Sequence, residues 1–231
     1  MQRKQIKTVI FDWDGTLHDT IHIYEPAFKK AMAYLVDEGL IHSKEWKTED
    51  IKPFIGMSPT AMWATFKPAL SKDVIEVASS IISKTMQSLI EDHQGRLYSD
   101  VIETLTYLKH KGYYLVYLSN SKTYYMELMK SHFDLTRFFD RFVCSETHNY
   151  LPKQQILTEI KEELPQGMAM VGDRIIDIET GKLNGCLTFA CDYGYGPANE
   201  LKDADIHLSD LTKLKDYLWV WRETTPFLFF F

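Results

Sequence analysis

Residues 8–17 read TVIFDWDGTL, an apolar run that stops at two aspartates one residue apart and is followed at once by a glycine and a threonine. An apolar run this short, closed by a turn signal, predicts a strand buried on both faces, with Gly15 letting the backbone turn where the strand stops. Open α/β sheets hold their ligands beyond the carboxyl ends of their strands, so Asp12 and Asp14 are expected at such an edge.

The rest of the chain falls into two patterns. Between residues 20 and 93 only helices are expected. Asp19 or Thr20 caps a helix with Phe28, Met32, Leu35 and Val36 on one face and Gly39 as its stop. Ser58 and Pro59 open a short helix, and Ser71 opens a longer one whose apolar stripe runs through Val74, Ala78, Ile82, Met86 and Leu89. After Tyr98 helices alternate with strands. Asp100 and Glu103 resemble a capping box, and Gly112 ends the helix they begin. Strands are expected at 113–118, 142–144, 168–171, 187–190 and 206–208, with helices at 121–133, from about 152, and at 175–183. This alternation predicts an α/β fold, a Rossmann-like doubly wound parallel sheet formed by residues 1–19 and 94–231. A small helical cap domain, residues 20–93, is inserted after the first strand on two short hinges.

Composition narrows the function. The net charge of −6, with no block of Lys and Arg, argues against nucleic acid as a partner. No stretch is apolar for long enough to span a membrane, and the N-terminus lacks the pattern of a signal peptide, so a cytoplasmic location is expected. Cys144, Cys186 and Cys191 lack the paired spacing of a zinc or redox motif and read as reduced core thiols. The apolar tail at 227–231 is expected to pack on the core, meet a second subunit or fray, and an interaction role for the aromatic end at 219–231 leaves monomer or homodimer open.

In a parallel sheet, residues that follow different strands converge on one edge. Here these are Asp12 and Asp14, Ser119 and Asn120, Lys153 at a helix start, and Asp173 and Asp177 after Gly172. Acids gathered this closely repel unless a cation joins them. Mg2+ suits a few carboxylates plus substrate phosphate, with Asp12 and Asp173 as side-chain ligands, Asp177 beside them, and Asp14 offering its backbone carbonyl. Lys153 can bind both a phosphate and an aspartate. Metal and lysine together describe a phosphoryl-transfer site, in which Ser119 and Asn120 also touch phosphate. A serine nucleophile would need a base, and no histidine lies beside one in these loops, whereas a carboxylate needs none. Asp12 is therefore the expected nucleophile, and Asp14 the acid that protonates the leaving oxygen and then the base that activates water.

Gly56, Met57, Ser58 and Arg174 are candidates for substrate contact. Trp46, Met62 and Trp63 read as cap core. His18, His22, His42, His93 and His148 have no ligand spacing and read as surface or hinge residues, and residues 193–196, YGYG, as a structural turn.

DWDGTL at Asp12, Ser119 after a strand, Lys153 before a helix, and GDRIID from Gly172 resemble the four motifs of the haloacid dehalogenase superfamily. The likeness is to its phosphatase branch with a C1-type helical cap, the phosphoglycolate phosphatase and beta-phosphoglucomutase-like group. The resemblance implies a Rossmann-like core, a cap between the first and second motifs, Mg2+, and hydrolysis of a small phosphorylated metabolite. Asp14 separates the phosphatases from the dehalogenases. Two departures stand out: Pro152 precedes Lys153, the reverse of the common order, and Arg174 replaces a small residue. Two other readings stay open, a phosphotransferase or mutase of the beta-phosphoglucomutase kind and a non-catalytic protein that uses phospho-aspartate as a switch.

Overall fold

The computed structural model describes residues 5–66 and 69–220. Its strands are β1 (Thr8–Phe11), β2 (Tyr114–Ser119), β3 (Arg141–Cys144), β4 (Met168–Gly172), β5 (Leu187–Cys191) and β6 (Ile206–Leu208). They form one sheet in the order β3-β2-β1-β4-β5-β6, and every pairing is parallel. Alternate side chains of a strand enter opposite faces, so each strand feeds two cores. Val9 and Phe11 join Leu115, Tyr117, Ala169 and Val171 on one face. Ile10, Val116, Leu118 and Met170 meet Ile156, Leu157 and Ile160 on the other.

The helices are α1 (Ile21–Asp37), α2 (Thr48–Ile51), α3 (Pro59–Ala64), α4 (Lys72–Glu91), α5 (Val101–His110), α6 (Thr123–His132), α7 (Lys153–Ile160), α8 (Ile175–Leu183), α9 (Ala198–Leu201) and α10 (Leu214–Val220). Helices α1 to α4 hold an apolar cluster of their own, in which Phe28, Leu35, Ile51, Met62, Trp63 and Ile82 are buried. Ile23 at the start of α1 and Ile90 at the end of α4 instead pack into the sheet's cluster, which ties both ends of the insertion to the core. The two connections run side by side: Tyr98 N donates to Leu17 O (3.0 Å) and Asp19 N to Arg96 O (2.8 Å).

The chain turns back at β1. It first builds β2 and β3 on one side, then β4 to β6 on the other, so a crevice opens beyond the carboxyl end of β1. The pairing of β1 with β4 continues one residue past the strand, where Asp12 N donates to Val171 O (2.9 Å).

Ser58 and Ser71 cap their helices as expected, accepting from Ala61 N and Val74 N. Asp100 does not: it precedes α5 without a side-chain cap, its carboxylate is taken by Ser99 Oγ, and Glu103 pairs with Lys215 instead. The three cysteines are buried and free. Among the described residues no helix is long and apolar enough to cross a membrane. The aromatic end, including the side chains of residues 219 and 220, lies outside the described residues.

Candidate active site

Asp12 stands at the end of β1, and Lys153, first residue of α7, reaches it from across the crevice. The Lys153 Nζ donates to Asp12 Oδ1 at 2.6 Å and to Asp177 Oδ1 at 2.7 Å. All three side chains are buried. Burial alone would push the amine down, but the Asp12 and Asp177 carboxylates outweigh it and hold Lys153 above its ordinary value, fully charged. Asp173 completes a cluster in which one oxygen of each of Asp12, Asp173 and Asp177 lies within 4.8 Å of the others. One ammonium does not balance three carboxylates. Burial, and then the charge of Asp177, raise Asp12 well above its usual range and push Asp173 up to about 7.

Glycines let the backbone crowd this cluster. Gly15, at φ +89°, makes the turn after the strand, and a Cβ there would lie 2.3 Å from Asp173 Oδ2. Gly194 in the YGYG turn leaves room for Asp173 in the same way; a Cβ there would come within 2.2 Å of the Asp173 Cβ. The turn also donates, Tyr195 N bonding Asp173 Oδ2 (2.7 Å), while Thr16 Oγ1, next to Gly15, donates to Asp173 Oδ1 (3.2 Å). Arg174 N donates to Asp177 Oδ2 (3.1 Å), fixing the last acid within the first turn of α8.

The carboxylate of Asp14 does not join the cluster. Its Oδ1 accepts from Thr20 Oγ1 at 2.6 Å and from Tyr125 OH at 2.7 Å. Thr20 is the residue before α1, but its hydroxyl serves Asp14 rather than the helix. His18 sits at the hinge, as its position suggested, but it is fully buried rather than at the surface. Its ring stacks on Trp13 at 5.6 Å, and its Nδ1 lies 2.8 Å from Thr20 Oγ1. Because the threonine proton goes to Asp14, the histidine must be the donor in that contact. Loss of solvent, and then the Asp14 charge, hold the Tyr125 phenol well above its usual value, so it stays protonated and able to donate. Tyr125, Thr20 and His18 were not legible as site residues. Only the DxDGTLxxT spacing hinted at Thr20, and Tyr125 comes from a helix far away in sequence.

The cap closes over this edge. Ser119 is buried at the end of β2 and, with Asn120, lines the cavity above Asp12 and Asp14. Asn120 Nδ2 reaches Gly56 O at 3.4 Å. Gly56 and Met57 line the same cavity, and Ser58 borders an adjoining one that contains Lys153 and Arg174. Arg174 works as a latch. Its Nη1 donates to Ile55 O (2.6 Å) and Pro53 O (3.2 Å), while its Nε pairs with Glu200 (3.1 Å). Tyr150 lines both cavities with φ at +57°, a conformation uncommon for a bulky residue. Trp63 and Met62 are cap core as expected, and their edges also face the cavity.

Residues 9–191 match the family described as haloacid dehalogenase-like hydrolase. The chain belongs to this family. It is therefore a hydrolase whose four motifs stand where the sheet brings them together. Among its relatives, a phosphoglycolate phosphatase of Aliivibrio fischeri is 28% identical over 213 residues, covering 87% of this chain and 90% of that protein. A pyrophosphatase PpaX of Bacillus cereus is 30% identical over 193 residues, covering 80% and 83%. In fold, the chain resembles the crystal structure of a predicted phosphatase from Clostridium acetobutylicum, with a TM-score of 0.78 at 21% identity over 94% of this chain and all of that one.

Proposed function

We propose that this hydrolase cleaves small phosphomonoesters through an aspartyl phosphate on Asp12. The observation that carries the reading is the unequal treatment of two neighbouring acids. Asp12 lies in a buried, lysine-paired carboxylate cluster, whereas Asp14 is held apart by two hydroxyl donors. The relatives named as phosphatase and pyrophosphatase support the class of reaction.

The donor set fits a hard divalent cation such as Mg2+, because three buried carboxylates share a single ammonium, and burial, then the charge of Asp177, raises two of them. Asp12, Asp173 and Asp177 would supply the carboxylates, with Asp14 offering its backbone carbonyl. The bound ion would neutralise these charges and those of the phosphate.

The chain's own residues divide the rest. Lys153 holds Asp12 in place and offers positive charge to phosphate oxygens, beside Ser119 and Asn120. An Asp12 oxygen attacks phosphorus, the ester P–O bond breaks, and Asp14 gives its proton to the departing oxygen. Asp14 then takes a proton from water as that water attacks phosphorus, the P–O bond to Asp12 breaks, and inorganic phosphate leaves. The 20–93 cap excludes bulk water from the crevice and selects the leaving group.

The test is phosphate release from p-nitrophenyl phosphate with and without Mg2+, for the native protein and for Asp12→Asn. Mg2+-dependent turnover is expected, with loss of essentially all of it in the variant. Unchanged activity in Asp12→Asn would sink the mechanism.

A further inference from the structure

The cavity that begins at Asp12 and Asp14 does not end at the phosphate position. It runs under the cap past Tyr24, Ile55, Met62, Trp63, Met86 and Leu128, with about 1140 Å³ of empty space including its open mouth. What this wall lacks is charge to receive a second anion. Of its described lining residues Lys122 is the one cation, and it is exposed at the start of α6. The nearby cations are committed elsewhere, Lys153 to Asp12 and Asp177 and Arg174 to Glu200 and the cap carbonyls. The polar groups in the wall are partly spent as well, since Trp63 Nε1 donates to Ser79 Oγ (2.8 Å).

A carboxylate or second phosphate placed there would give up water with exposed Lys122 as the one described cation to meet it. A ring would lose only unfavourable apolar hydration, and it would meet aromatic edges and the Met62 and Met86 thioethers. We propose that the leaving group of the substrate is an uncharged, largely apolar alcohol about the size of an aromatic ring. This rests on the phosphatase reading above and adds the substrate class to it.

The experiment compares kcat/KM, with Mg2+, for 2-phenylethyl phosphate, ethyl phosphate and phosphoglycolate. All three are alkyl esters, so none carries an activated leaving group. The phenylethyl ester is expected to exceed both others by about tenfold or more. A preference for phosphoglycolate, or equal rates for the ethyl and phenylethyl esters, overturns the proposal. Calorimetric binding of 2-phenylethylphosphonate against phosphonoacetate makes the same comparison without turnover. Absence of turnover with tighter binding of the phenyl compound would overturn the phosphatase reading while supporting the apolar site; tighter binding of phosphonoacetate would overturn the apolar site.

A gain-of-charge variant adds a second arm. Ser83 lines the cavity from an exposed position on α4, so Ser83→Arg brings a cation to the wall without emptying the core. The ratio of phosphoglycolate to phenylethyl phosphate kcat/KM is expected to rise about tenfold, with melting temperature reporting that the variant folds. A ratio unchanged in the folded variant would overturn the assignment of this wall to the leaving group.

Discussion

Asp173 offers the sharpest test of the charge balance. Its carboxyl is raised from 3.8 to about 7, first by burial and then by Asp177. A raised folded-state value means that the folded chain holds a proton the unfolded chain has released, so stability falls as pH rises between those two values. The loss is complete above about pH 7 and absent below about pH 4. Over that span it amounts to at most about 4 kcal/mol. Asp173→Asn removes the titration while keeping the contacts. The amide oxygen can accept from Tyr195 N, and the amide nitrogen can donate to Thr16 Oγ1, which turns its own proton away. In chelator, the variant is therefore expected to lie within about 1 kcal/mol of the native protein near pH 4.5 and to exceed it at pH 8 by up to about 4 kcal/mol, roughly 8–16 °C in Tm for a chain of this size. Adding Mg2+ at pH 8 should raise the native Tm and move the variant much less. Thermal unfolding across pH, followed by circular dichroism, provides the curves. If the two chelated proteins differ by a constant amount from pH 4.5 to 8, the crowding of Asp173 is not as described.

Three further outcomes follow from the contacts. Tyr125→Phe removes one of the two donors to Asp14 Oδ1, and kcat should drop about tenfold with little change in KM; an unaltered kcat would remove Tyr125 from the machinery. Gly194→Ala pushes a methyl into Asp173, costing about 1–3 kcal/mol of stability and weakening activation in an Mg2+ titration of turnover. Arg174→Met gives up the bonds to Pro53 O, Ile55 O and Glu200, which should cost about 1–3 kcal/mol. It should also speed limited proteolysis at residues 17–19 and 96–98, and a digestion rate equal to the native one would argue against the latch.

Much of this protein is legible before folding. The buried run before Asp12, the alternation after Tyr98 and the helical stripe from Ser71 are local periodicities, and local periodicity is what burial on one or two faces imposes on a strand or helix. The convergence of Asp12, Ser119, Lys153, Asp173 and Asp177 also follows from order alone, because parallel strands bring their following residues to one edge. Asp100 shows the limit of local pattern: its spacing to Glu103 suits a capping box, but Ser99 and Lys215 take the two carboxylates.

Contacts between distant segments were settled by tertiary structure. Tyr125 meets Asp14 across more than a hundred residues, Tyr195 holds Asp173 from the loop after β5, and the Arg174 guanidinium finds cap carbonyls instead of open crevice. None of these leaves a periodic trace, since each depends on where the cap and the sheet edge meet rather than on the neighbours of the residue in the chain. The TVIFDWDGTL stretch by itself determined which acids stand at the edge of the sheet. Packing decided how they differ, by burying Asp12 against Lys153 and giving Asp14 to the hydroxyls of the hinge and α6.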